Sequence, residues 1–225
     1  MSQAVNNKQS VAIHAASLVE DDMLIGLGTG STANYFIEEL ARRKKEENLK
    51  LTTVASSTVS MIKAQQMGLD LVAVENVRQL DLYVDGADEV SDEMTLLKGR
   101  GFDLVKEKLL AKASEQFYVL IDDTKLVSRI GEKYPIPVEV APFSWQMVLR
   151  SLQQIGGEGD LRLNGDGLAI TSHGSLVLDM AFDSSLEGDE LNMALNSIPG
   201  VVEHGIFYQL ATRVFMGTNG EVVER

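Results

Sequence analysis

MLIGLGTGSTANYFIEELARRK, residues 23–44, decides the fold. Its first six residues form a short apolar run ending in glycines, which reads as a buried strand. From Ser31 the pattern turns helical and stays so to Glu47. Working outward, the same alternation recurs. Residues 8–20 carry Val11, Ala15 and Leu18 at helical spacing. LTTVAS (51–56), LVAV (71–74), DLYVDG (81–86) and QFYVLIDD (116–123) read as strands. Residues 58–67 and 102–114 read as helices, the first closing at Gly68. Short apolar strands alternating with helices imply an α/β fold. Its sheet is mostly parallel and Rossmann-like, with helices on both faces.

The pattern changes at Tyr134-Pro135-Ile136-Pro137, where two close prolines mark a junction. Beyond it come PVEVAP, a helix over 143–155, and a turn-rich alternating stretch, GGEGDLRLNGDGLAITSHGSLVLDMAF, that reads as antiparallel strands. A helix over 185–197 and a last buried strand, ATRVFMG (211–217), follow. The expected organisation is an α/β domain of residues 1–130 and 205–225 that carries the motifs. A smaller α+β domain, 131–204, is inserted into it and is the expected oligomer interface.

Composition narrows the partners. Of 225 residues, 44% are apolar, enough for a sizeable core. Twenty Lys and Arg against 33 Asp and Glu give a net charge of −13. The one basic run, Arg42-Arg43-Lys44-Lys45, is followed at once by Glu46-Glu47, so no basic stripe marks a nucleic-acid binder and the acid excess disfavours anionic membranes. There is no Cys, which removes disulfides and thiolate chemistry. No apolar run approaches the ~20 residues of a membrane helix, and the first residues lack a secretory pattern. A cytoplasmic protein is the expectation.

Three turns carry chemistry. GLGTGST (26–32) lies between a strand and a helix, where glycines let a ligand approach and the helix start offers free N–H groups and positive dipole. Ser31 and Thr32 add hydroxyls. The position a dinucleotide site gives to Gly or Ala is Ser31, and no Lys follows the loop, so a small-molecule phosphate fits better. A plain tight turn capped by Ser is the alternative. DGADE (85–89) follows a strand, where ligands gather in open sheets. Its three acids suit metal binding, acid–base work, hydroxyl recognition, or simple capping. Lys98-Gly99-Arg100-Gly101 places two cations before the helix of Glu107. No basic residue stands three or four positions from Glu107, whereas Leu104, Leu110 and Ala111 put it beside an apolar stripe. A carboxyl there would have a raised pKa suited to a general base, or would snorkel from the edge of the stripe. Lys8 and Lys125 are weaker signals.

Together these residues resemble the type A ribose-5-phosphate isomerase family over nearly the whole chain. GLGTGSTA (26–33), ASST (55–58), DLYVDGADEV (81–90), KGRG…KEK (98–108), IDDTKLV (121–127) and IPGVVEHGIF (198–207) occur in that family's order and spacing. The resemblance implies interconversion of ribose 5-phosphate and ribulose 5-phosphate in the pentose phosphate pathway. It also implies independence from metals and organic cofactors, a sugar phosphate as partner, and a homodimer or dimer of dimers. It gives Glu107 the role of general base, Asp85 and Asp88 those of the active-site aspartates, and Lys98 that of the loop lysine. Thr29, Gly30, Ser31 and Thr32 correspond to the ligand-binding turn. Lys8, Gly99, Gly101 and Lys125 correspond to further substrate contacts, beside which Arg100 adds positive charge. Many members run plain glycines and small residues after the lysine, where this chain has Arg100 and Phe102.

The residue types agree with that chemistry. One carboxylate can shuttle a proton between C2 and C1 through a cis-enediolate. Lys98 and the N–H groups of its loop suit the developing charge. Asp85, then Asp88, are the candidates for assisting ring opening. Lys8, Lys98, Arg100 and Lys125 must locally reverse the acid field, which salt screens beyond about 8 Å. Three rivals remain. A non-catalytic sugar-phosphate sensor would bind without turnover. An acyl- or CoA-transferase would use a glutamate as nucleophile. A metal-dependent phosphatase would be sensitive to chelators.

Overall fold

The computed structural model describes residues 6–101, 104–183, 186 and 188–225. The first elements are α1 (Asn7–Ser17), β1 (Met23–Leu27), α2 (Ser31–Glu46), β2 (Leu51–Ala55), α3 (Thr58–Gln66) and β3 (Leu80–Gly86). Then come β4 (Glu89–Val90), β5 (Leu96–Leu97), α4 (Leu104–Ala113), β6 (Ser114–Asp122), β7 (Ile136–Val140), α5 (Trp145–Gln154) and β8 (Gly157–Leu161). The chain ends with β9 (Leu163–Asn164), β10 (Gly167–Leu168), β11 (Leu176–Phe182), α6 (Gly188–Ser197), β12 (Val201–His204), β13 (Ile206–Phe207), β14 (Arg213–Thr218) and β15 (Glu221–Glu224). The expected helix starts at Phe102 and Ser185, and the Asp103 neighbour of Glu107, lie outside the described residues.

Two compact units divide the chain. One holds Met1–Ala87, Lys106–Lys125 and Leu210–Arg225, the other Asp88–Val105 and Leu126–Gln209. These boundaries differ from those expected at 131 and 204. Pro137, read as part of a junction, lies inside β7 opposite Asp179 of β11. The second unit also takes in residues 88–105, because β5 pairs with both β4 and β13.

The first unit is a six-stranded sheet in the order β15-β14-β6-β3-β1-β2. Every pairing is parallel except that of the edge strand β15 with β14. The inner strands carry apolar runs where both faces are covered: Phe117 to Ile121 of β6 are all buried. Edge strand β15, with Glu221 and Glu224, is largely exposed. Val11, Ala12, Ala15 and Ala16 of α1 pack with Phe36, Ile37 and Leu40 of α2 against strand residues Ile25, Leu27 and Val84. Each large side chain so buried contributes roughly 1.5–3 kcal/mol. LVAV (71–74) does not form the expected strand. It makes one parallel bridge, Thr53↔Leu71, and then turns into the short 3-10 helix Val74–Asn76. Val72 and Ala73 face water, so no second layer rewards extending the sheet.

The second unit holds a four-stranded antiparallel sheet, β12-β7-β11-β8, and a three-stranded one, β13-β5-β4. Val148 and Leu152 of α5, and Leu191 and Leu195 of α6, pack on Ile136, Val138, Leu178 and Met180. Among the described residues no helix is long and apolar enough to cross a membrane.

Candidate active site

Asp85, Glu107, Lys125, Lys8 and Thr29 to Thr32 belong to the parallel-sheet unit, and Asp88, Lys98, Gly99, Arg100 and Gly101 to the antiparallel one. The DGADE stretch therefore spans the division between them.

In the parallel-sheet unit, β1 and β3 lie side by side with Gly26 opposite Tyr83. A Cβ on Gly26 would sit 2.6 Å from the Tyr83 ring, and one on Gly28 would sit 2.2 Å from the Asp85 carboxyl group. Two of the glycines read as room for a ligand thus make room for Tyr83 and Asp85. Asp85 is fully buried. Its Oδ1 accepts from the Thr29 N–H at 3.0 Å and the Gly86 N–H at 2.8 Å, and its Oδ2 accepts from the Tyr83 hydroxyl at 2.5 Å. Burial, then the charge of Asp85, then that of Glu107, push the Tyr83 phenol well above its ordinary pKa. Tyr83 therefore stays protonated and donates. Residues two apart on a strand share a face, which is how Tyr83 reaches Asp85. That spacing was legible in DLYVDG.

The turn beyond β1 is ready for an anion. The N-cap of α2 is Gly30, at φ +109°, with no side-chain cap on the helix. The Ser-capped alternative is thus not what forms, and among the described residues no side chain caps the first N–H groups of α2. Lys8 brings its ammonium within 3.1 Å of Ser31 Oγ beside them. Thr29 turns inward. Its hydroxyl donates to Ser57 at 2.7 Å, Ser57 to Ser60 at 3.1 Å, and Ser60 to the Gly28 carbonyl at 2.6 Å. Ser56 stands 3.1 Å from Thr29 Oγ1. This hydroxyl chain fixes the turn from behind. Ser56 and Ser57 carried only a motif resemblance in the sequence, with no role attached, and Ser60 carried none.

Glu107 sits in the first turn of α4 and is 6% exposed, with Leu104, Leu110 and Ala111 buried around it. It lies on the inner face of its helix and does not snorkel. Lys125 closes the 3-10 turn Asp123–Lys125 at the carboxyl end of β6.

In the antiparallel unit, Lys98 follows β5 and is buried, with its N–H donating to the Gly205 carbonyl at 2.9 Å and its ammonium 5.6 Å above the Phe207 ring. Gly99 has φ +99°. The Arg100 guanidinium stacks on Tyr134 at 3.9 Å, which accounts for its bulk. Gly101 is exposed, and Phe102 beyond it lies outside the described residues. The Asp88 N–H donates to the Leu97 carbonyl at 2.8 Å. Glu89, the third acid of DGADE, is structural. Fully buried, it accepts from the N–H groups of Gly131, Lys133 and Tyr134 at 2.7, 2.7 and 2.8 Å. Among the described residues no cluster of three or more His, Asp or Glu has the arrangement of a metal site.

A parallel α/β unit with an uncapped, lysine-flanked helix start and two buried carboxylates has the donor set that suits a small anionic molecule and acid–base chemistry. The comparisons with known proteins narrow the class. The family model for ribose 5-phosphate isomerase A (phosphoriboisomerase A) matches residues 52–221. Ribose-5-phosphate isomerase A of Thermoplasma volcanium is 44% identical over 214 residues, covering 94% of this chain and 88% of that one. The solved ribose 5-phosphate isomerase A of Methanocaldococcus jannaschii is 40% identical, with a TM-score of 0.92 over 97% of both chains. A D-ribose-5-phosphate isomerase solved in complex with phospho-erythronic acid is 35% identical, with a TM-score of 0.93 over 99% of both chains. The chain belongs to the ribose 5-phosphate isomerase A family.

Proposed function

We propose that this enzyme interconverts D-ribose 5-phosphate and D-ribulose 5-phosphate through a cis-enediolate, as a step of the non-oxidative pentose phosphate pathway in the cytoplasm. The observation that carries the reading is Glu107, a carboxylate on the buried face of α4 in the unit that also holds the anion-ready start of α2. The substrate phosphate takes the N–H groups of the α2 start, Ser31, Thr32 and Lys8, which orients the sugar carbons. Asp85, held rigid by three donors, assists ring opening, with Asp88 as the second acid. Glu107 takes the proton from C2 and returns it at C1. Lys98 and the N–H groups of Gly99, Arg100 and Gly101 stabilise the enediolate oxygens. Arg100 supplies charge from its seat on Tyr134. Lys125 binds substrate, so Lys125→Ala raises KM about tenfold and changes kcat less, as initial rates would show.

No metal or organic cofactor takes part in this scheme. The test is ribulose 5-phosphate formation from ribose 5-phosphate by purified protein in excess chelator. Product from the wild type supports the reading. Binding without product would instead favour a sugar-phosphate sensor.

The antiparallel unit is proposed as the face of a homodimer or dimer of dimers. It leaves Phe143 87% and Met147 65% exposed, with Leu163, Ile170 and Met193 also in water. Apolar exposure of this kind marks association surfaces. Light scattering on Met147→Glu, compared with wild type, tests it.

A further inference from the structure

We infer that Arg162, locked by Asp179, is a positioning residue that fixes the peptide between Gly99 and Arg100 so that the Arg100 N–H serves as an oxyanion donor. The inference rests on the isomerase reading above and deepens it. All the groups involved lie in the antiparallel unit.

Arg162 follows β8, and its backbone is held on both sides. Its N–H donates to the Val177 carbonyl at 2.8 Å, and its carbonyl accepts from the Ala169 N–H at 2.9 Å. Its guanidinium is committed edge by edge. Nε and Nη2 donate to the two oxygens of Asp179 at 2.8 and 2.5 Å, a fork-on-carboxylate pair. Nη1 then donates to the Gly99 carbonyl at 2.9 Å. Asp179 sits within β11, paired across to Asp160 and Pro137, so the carboxylate that orients the fork is itself on a three-strand platform. The pair is largely shielded, with the Arg162 side chain 12% exposed.

The consequence follows from peptide geometry. The described peptide bonds are all trans, so the carbonyl of Gly99 and the N–H of Arg100 point in opposite directions. Pinning the carbonyl to Arg162 turns the Arg100 N–H to the other side of the turn, away from the cation. Gly99, at φ +99°, has access to other backbone conformations, and its peptide would otherwise turn over readily. The neighbouring anchors do not hold this plane. The Lys98 N–H is tied to Gly205, and the Arg100 side chain to Tyr134. A lysine at 162 could still donate to Gly99 but could not also grip both Asp179 oxygens.

The experiment compares wild type with Arg162→Met, Arg162→Lys and Asp179→Asn in steady-state turnover of ribose 5-phosphate. It adds NMR relaxation of the Gly99, Arg100 and Gly101 amides in the free proteins. Arg162→Met is expected to lower kcat about 10- to 100-fold with KM within about threefold, and to bring exchange broadening to these three amides. Arg162→Lys recovers part of kcat, and Asp179→Asn, which keeps the cation, loses less than Arg162→Met. A folded Arg162→Met with wild-type kcat and sharp amides overturns the inference. So does a loss carried by KM alone, or a kcat loss with unchanged amide dynamics. If Arg162→Met does not fold, Arg162→Lys and Asp179→Asn decide by the same two readouts. A wild type that forms no ribulose 5-phosphate would sink the functional reading instead, while the amide dynamics would still test the clamp.

Discussion

The two units hold their reactive groups by different means. In the parallel-sheet unit, position on a strand or helix suffices. Asp85 is set by β3, its donors are Tyr83 and Gly86 of the same strand and the Thr29 N–H of the turn after β1, and Glu107 is set by the buried face of α4. In the antiparallel unit the Lys98 turn follows only the two-residue strand β5. It is tied down by Gly205, Arg162 and Tyr134, all far along the chain. Close steric fit therefore governs the first unit and long-range polar anchoring the second.

Substitutions can sharpen or break that contrast. The largest expected effect is Gly28→Ala. Its Cβ would fall 2.2 Å from the Asp85 carboxyl group, so the strand or the acid must move. Overpacking of this kind costs about 1–3 kcal/mol or more, and turnover should vanish with the displaced acid. A melting midpoint within a degree of wild type, with activity intact, would break the steric account. Next is Glu89→Gln. The amide keeps one acceptor oxygen where the carboxylate served three N–H groups with two, so the loss should be roughly 1–3 kcal/mol. Hydrogen exchange should quicken first at Gly131, Lys133 and Tyr134. Uniform loss of protection over the whole chain would argue against local anchoring.

The smallest effect is that of Tyr83→Phe, at about 1.5 kcal/mol near neutrality for one hydrogen bond lost from a carboxylate that keeps two others. Its pH dependence is the sharper test. The folded pKa of Tyr83 lies above its unfolded value of about 10, so the unfolded chain releases the phenolic proton first. Wild-type stability is then full below pH 10 and falls as pH rises beyond it, by at most ~1.4 kcal/mol per pH unit for this one group. Tyr83→Phe should fall less steeply in denaturant melts between pH 9 and about 11. Parallel slopes would mean that Tyr83 titrates alike in both states.

The same contrast decides what could be read from the chain. Parallel strands buried on both faces announce themselves as apolar runs, so β1, β2, β3, β6 and β14 were legible. The burial of Glu107 was legible because Leu104, Leu110 and Ala111 are apolar and no residue at helical spacing from it is basic. The two-residue strands β4, β5 and β13 exist only through pairing with each other and carry no periodicity. The unit boundaries follow contacts such as Glu89 with Tyr134, which no local pattern records. Arg162 was invisible for the same reason, since Gly99 lies 63 positions away. Gly26 and Gly28 were seen, but the side chains on β3 that require them to be glycines were not.

In the proposed reaction Glu107 moves the substrate proton. The most direct measurement follows ribose 5-phosphate by NMR in deuterated buffer with wild type and Glu107→Gln, with calorimetry to show that both bind it. Isomerisation and deuterium entry are expected with the wild type. With Glu107→Gln the expected result is bound substrate, no exchange at C2, and turnover lower by about 10²- to 10⁴-fold or more. Continued C2 exchange at a wild-type rate in Glu107→Gln would contradict this role.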